Sequence, residues 1–192
     1  MKKIIFGIII LILGVNNSVA QTTDFRNFNW GDPVEKIRSE ENAHFFTRQK
    51  NEELQYDDKL NGTSFKVLYI FNDNNKLISG SYILTKTHSD PELYYQNYLV
   101  FLKLLTEKYG KPNNEKETWN SSDPSYDKTN KKQGIADRNL NLYSFWNTNR
   151  SNIKITLISI GNDFPSLQIH YTTKSLDELE NQTDLQEALK KL

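Results

Sequence analysis

Phe65-Lys66-Val67-Leu68-Tyr69-Ile70-Phe71, then Asn72-Asp73-Asn74-Asn75-Lys76, then the run Leu77 to Leu84, is the stretch that decides the fold class. Side chains alternate between faces along a strand, so Phe65, Val67, Tyr69 and Phe71 share one face and Lys66, Leu68 and Ile70 the other. Five polar turn-formers between two such runs mark a β-hairpin. The Asn/Asp run superficially resembles a calcium loop. It lacks the glycine and the distal bidentate glutamate that an EF-hand loop needs, so it reads as a turn.

Working outward, the whole segment from His44 to Leu84 has strand character. Upstream, Asp32-Pro33-Val34-Glu35 has the chemistry of a helix start, with Asp32 as cap and Pro33 at the first position. This predicts a short helix over Pro33 to Glu41 with Val34 and Ile37 on its buried edge and Trp30 beside its first turn. Downstream, Asp90 caps a longer helix from Pro91 to Tyr109. Its stripe is Tyr95, Tyr98, Leu99, Leu102 and Leu105, widened by Phe101 and Tyr109, and Gly110-Lys111-Pro112 stops it.

Residues 113 to 139 form a polar loop with a short strand over Glu117 to Trp119, and a loop of that length is either functional or mobile. Leu140 to Trp146, Ile153 to Ile160 and Ser166 to Tyr171 read as the strands of a meander, separated by Asn-rich and Gly-Asn-Asp turns. A last helix is expected over Leu176 to Leu192, opened by Ser175 and Glu178 at capping-box spacing. Helix, strands, helix, strands, helix predicts a two-layer α+β domain: an antiparallel sheet of meander strands with helices packed on one face. It is expected to be one domain over 21–192. Asp-Pro starts at Asp32 and Asp90 leave open a division into similar halves, 25–85 and 90–192.

The first 20 residues carry a different message. Lys2 and Lys3 precede an apolar run from Ile4 to Val15, and Ser18-Val19-Ala20 offers small residues for processing, so this segment reads as a signal peptide cleaved after Ala20. At about 1.5 Å per residue the apolar run covers roughly 18 Å, short of a bilayer's roughly 30 Å hydrocarbon core. A periplasmic or secreted location is therefore expected, with no transmembrane helix after cleavage. The chain has no cysteine, which excludes a lipid anchor on cysteine, disulfides, thiolate metal sites and cysteine nucleophiles. It has 24 basic and 24 acidic residues, and losing Lys2 and Lys3 leaves a slight negative excess. No basic footprint for nucleic acid exists.

A signal peptide, the opening Trp30-Gly31-Asp32-Pro33-Val34-Glu35-Lys36-Ile37, and a helix ending Tyr109-Gly110-Lys111-Pro112 together resemble small exported α+β proteins of Gram-negative bacteria whose function is unknown. More remotely, the layout resembles the helix-plus-meander domains of outer-membrane assembly lipoproteins and periplasmic inhibitor proteins. The resemblance implies an envelope protein and carries no functional residue with it.

No serine-hydrolase elbow, phosphate loop or H-x-x-x-H spacing occurs. Neither a cofactor nor a metal is expected. His170 falls between Ile169 and Tyr171 on the opposite face of a strand, which places it in a groove or on the solvent side of a sheet. Of 3 Trp, 10 Tyr and 10 Phe, most fit a core. Trp119 and Tyr126 sit in polar sequence, where an aromatic can meet a partner, and Trp146 completes the candidate binding set. These residues suggest a non-enzymatic binding module of the envelope contacting another protein or a small ligand. Two alternatives are a hydrolase of glycan or peptide using His170 with a carboxylate, and an inhibitor-like or structural domain.

Overall fold

In a computed structural model the described residues are 23–47, 53–159, 165–176 and 189. The expected signal segment and nearly all of the last expected helix lie outside them, as does the Gly161-Asn162-Asp163 turn. The described chain runs α1 (Val34–Glu40), β1 (His44–Thr47), β2 (Glu53–Leu60), β3 (Thr63–Phe71), β4 (Leu77–Leu84), α2 (Pro91–Tyr109), β5 (Asn114–Trp119), α3 (Lys131–Ala136), β6 (Leu140–Asn147), β7 (Ser151–Ile158) and β8 (Ser166–Thr173). All strands join one antiparallel sheet in the order β1-β2-β3-β4-β8-β7-β6-β5. This is a sheet-dominated α+β fold. The connectivity repeats: a helix leads into four strands, twice, and the last strand of each set pairs with the other at the centre.

Local chemistry explains the turns. Leu60 pairs with Thr63 across Asn61-Gly62, whose φ angles of 50° and 75° suit the twist of a two-residue hairpin loop. The Asn72–Lys76 run is a turn as read: the Asn72 side chain accepts from the backbone N–H of Asn74 (3.0 Å) and of Lys76 (2.9 Å). Alternation holds in β3, where Phe65, Val67, Tyr69 and Phe71 are buried and their neighbours half-buried. It recurs in β6 and β8.

The helices depart from expectation in detail. Asp32 does not cap α1. Its carboxylate accepts from Asn29 N–H and Lys36 Nζ, and Pro33 takes the cap position in extended conformation, held by a bridge to Lys76. In α2 the buried row is Tyr94, Tyr98, Phe101 and Leu105, whereas Leu99 is exposed along with Leu93, Val100 and Leu104. Apolar residues surround this helix, so periodicity alone did not choose between neighbouring rows. Asp90 caps α2 as expected, accepting from Glu92 N–H at 3.0 Å. The 113–139 segment also contains α3, capped by Asn130 on Gln133 N–H.

α1 has only seven residues, too few to cover four strands. The segment before it fills the gap: Phe25 and Phe28 are fully buried, and Phe25 rests directly on Gly80 among the rings of Tyr69, Tyr82 and Tyr171. Asp24, nearly buried, holds Arg150 in a two-pronged pair (2.7 and 2.8 Å) and accepts from Trp30 N–H (2.9 Å). Trp30 in turn donates its indole N–H to Ser151 Oγ at 2.8 Å. These bonds tie the N-terminal segment to the β6–β7 turn, far away in sequence.

Candidate functional site

The pairing register determines which side chains meet on the outer set of alternate positions, the set opposite Phe65, Val67, Ile155 and Ile169. One row crosses the sheet as Leu68, Ser81, His170, Lys154, Phe145 and Asn114, and the next as Lys66, Ile83, Gln168, Thr156, Tyr143 and Lys116. The strand edges continue it with Asn141, Asn147, Asn152 and Thr172. From β3 to β5, none of the residues in these two rows or at these edges is a carboxylate; Glu53 and Asp57 lie further out, on β2.

A depression of about 520 Å³ opens on this surface where β5 begins and β6 ends, lined by Asn113, Asn114, Phe145, Trp146, Lys154 and His170 among others. The volume falls in the range of small-ligand sites. Asn113 is committed to structure, its side-chain oxygen accepting from Asn147 N–H at 2.6 Å. Trp146 is buried and donates its indole N–H to Gly110 carbonyl at 2.8 Å, so it supplies wall and not a free ring. Phe145 and Tyr143, both half-buried, stand with nearly parallel rings, 6° apart in plane and 6.4 Å between centroids.

His170 is the polar centre. Its Nε2 lies 2.7 Å from Gln168 Oε1 and its Nδ1 lies 2.9 Å from Ser81 Oγ. Gln168 donates its amide to Ser166 Oγ, which leaves its carbonyl facing the ring. An acceptor at Nε2 fixes the proton there, so Nδ1 accepts from the Ser81 hydroxyl. Burial, reinforced by the nearby Lys154 ammonium, holds the imidazole below its ordinary pKa. At neutral pH the group is an uncharged ring between a hydroxyl and an amide, and neither of its hydrogen-bond partners is a carboxylate. Lys154 makes no ion pair among the described residues.

The four residues singled out in the sequence thus fall into two groups. His170 and Trp146 line the same depression. Trp119 and Tyr126 lie together at α3, their rings 5.9 Å apart, and both are engaged: Trp119 donates to Glu117 (2.7 Å) and Tyr126 to Asp137 (2.8 Å). The Trp119 ring also lies over Gly134. They pin the 113–139 segment against the sheet. Missed in the sequence were Phe145, Lys154 and the amides, because only the pairing of β5, β6, β7 and β8 makes them neighbours of His170. Alternation within each predicted strand carried part of that signal.

A second, smaller hollow of about 310 Å³ lies between α2 and the β5–β6 edge, lined by Tyr95, Leu99, Glu115, Glu117 and Lys131 and also touched by Lys116 and Tyr143. The Glu117–Lys131 ion pair occupies it. Next to it, Tyr98 donates or accepts with Ser144 Oγ at 2.9 Å, and burial pushes its hydroxyl pKa up to about 12.

No family model and no curated protein matches the chain. Among solved structures, a DUF4309-family protein of Bacillus subtilis resembles it at a TM-score of 0.38 with 12% identity, over 74% of this chain and 79% of that one.

Proposed function

We propose that this chain is a non-enzymatic binding module of the cell envelope, exported by its first 20 residues, with the helices packed on one side of the sheet and the opposite side as its working surface. The observation that carries the reading is the depression around His170 and Phe145, where aromatic rings, side-chain amides and a lysine with no ion pair among the described residues converge, and where no carboxylate is among the described lining residues. Such a mixture of apolar wall and a few directed polar groups suits ligand capture.

Lysine acylation in the presence and absence of envelope extract tests it. Lys154 and Lys116 should be protected by the extract, while Lys103, 77% exposed on α2, should label equally in both. Equal labelling at all three lysines would refute the reading.

The Ser81–His170 contact favours a second reading, a hydrolase with Ser81 as nucleophile and the neutral imidazole as base. A nucleophile must reach its substrate, however, and Ser81 is 3% exposed in mid-strand. A fluorophosphonate probe should leave Ser81 unmodified; covalent labelling there would favour the enzyme.

A further inference from the structure

We propose that the ligand of this surface is an acidic saccharide chain, carrying carboxylates on non-adjacent sugar units. The inference rests on the binding reading above and adds the ligand's chemistry. Three observations lead to it.

The first is the aromatic pair. Phe145 and Tyr143 are alternate residues of β6 on one side of the sheet, and their nearly parallel rings follow the spacing of the strand itself. Two half-buried rings repeated in this way form an apolar ridge along β6, against which the C–H surface of a chain of sugars can lie.

The second is the placement of charge. Lys154 is paired directly with Phe145 from one side, and Lys116 with Tyr143 from the other. With strands about 4.8 Å apart and two residues spanning about 6.7 Å, the two lysine positions are separated by roughly 12 Å along a diagonal through the rings. That separation fits two charges on a chain. It is too wide for two oxygens of one phosphate. Among the described residues no carboxylate lies in these rows between β3 and β5, so the strip around the two lysines suits an anionic ligand.

The third is the supply of neutral hydrogen-bonding groups. Asn114, Asn152 and Thr172 are exposed and line the same depression as Phe145. Each can meet hydroxyls as donor or acceptor. A purely charged ligand would have little use for so many amides and hydroxyls.

The experiment uses the chain from Gln21 onward, calorimetric titration, and three probes: a galacturonic acid pentamer, the same pentamer with its carboxylates methyl-esterified, and inorganic phosphate. The acid pentamer should bind, the ester at least tenfold more weakly, and phosphate should not compete at equal charge. Lys154→Glu and Lys116→Glu should each weaken the acid pentamer about tenfold, with Lys103→Glu without effect. Phe145→Leu should weaken acid and ester alike. Circular dichroism checks that each variant folds, and Lys154→Gln replaces Lys154→Glu if it does not. Equal binding of acid and ester would overturn the acidic class while leaving the binding module in place. Equal competition by phosphate would overturn the saccharide. If no probe binds although Lys154 is protected by extract, the inference fails alone; if protection is also missing, both readings fail.

Discussion

Replacing Gly80 by alanine should be among the most damaging single-methyl changes in the molecule, and its cost can be worked from the packing of Phe25. A Cβ at Gly80 would stand 2.1 Å from Phe25 Cδ1, 2.3 Å from Cε1 and 2.4 Å from Cγ. Carbon atoms rest at about 3.5–4.0 Å, so the ring must retreat by roughly 1.5 Å. It has no free direction, because Tyr69, Tyr82 and Tyr171 stand 5.3, 5.2 and 5.2 Å from its centroid. Overpacking costs about 1–3 kcal/mol, and expulsion of the ring approaches the roughly 3–5 kcal/mol of a Phe truncation. A loss of about 3 kcal/mol lowers the urea midpoint by about 1.2 M if the slope is about 2.5 kcal/mol/M. The decisive measurement is a double-mutant cycle with Phe25→Ala. Once the ring is gone, the methyl enters vacated space and the strand loses a flexible glycine, so Gly80→Ala should be neutral or stabilise by up to about 1 kcal/mol. An equal cost in both backgrounds would refute the packing argument.

Three further changes probe other parts of the structure. Gly134→Ala gains about 1 kcal/mol of helix propensity but drives its methyl to 2.4 Å from Trp119 Cζ3; the clash should win, quickening amide exchange in α3 and β5, and net stabilisation would show that the ring is not packed there. Arg150→Met strands the 3% exposed Asp24 carboxylate and should cost about 2 kcal/mol, a fall of about 6 °C in Tm by calorimetry; an unchanged Tm would mean the pair holds nothing together. Burial, then Lys154, keeps the His170 pKa below its ordinary value, so the unfolded chain takes up the proton first and native stability is lost as pH falls below about 6.5. His170→Gln should remove that part of the acid sensitivity, seen as a smaller drop in urea midpoint between pH 7.5 and 5.5 than in the wild type. An identical drop would count against it.

How far the sequence carried this picture follows from the range of each interaction. The β3–β4 hairpin, α2 and the three-strand meander were legible because each is specified by its own alternation, caps and turn residues. Asn61-Gly62 is as strong a hairpin signal as the Asn-rich turn, but the strand before it is hard to read because β2 alternates weakly, with Asp57 and Asp58 inside it. The half-buried Asp58 has a use there that is invisible in sequence: Arg26 holds it at 2.6 Å and pairs with Glu41 as well. Glu41 also accepts from Tyr69, whose hydroxyl is pushed far up in pKa by burial and then by that carboxylate. α3 has no clear signature in the sequence, because a six-residue helix containing Lys131, Lys132, Gln133 and Gly134 has almost no apolar period. The depression around His170 is a product of register between strands separated by loops, so the strand pattern could place His170 on the outer side but could not supply its neighbours.

The N-terminal segment offers a last test, which links the folded structure to the expected processing. Phe25 and Phe28 are 1% and 0% exposed, and losing each should cost about 3–5 kcal/mol, together about 6–10 kcal/mol. A domain's whole stability is about 5–15 kcal/mol. A chain beginning at Asn29 should therefore be largely unfolded at 25 °C, whereas one beginning at Gln21 retains the two aromatics, Asp24 and its hold on Arg150. The same argument bounds where the proposed signal cleavage could fall: cleavage after Ala20 would leave every one of these groups on the folded domain, and cleavage beyond Phe28 would remove them. Circular dichroism and urea titration of the two chains, with the N-terminal mass of the protein recovered from cells, decide the matter. A cooperative transition at an unchanged midpoint for the shorter chain would show that the sheet is held without its plug, and an exported N-terminus beyond Phe28 would show that the mature protein does without it.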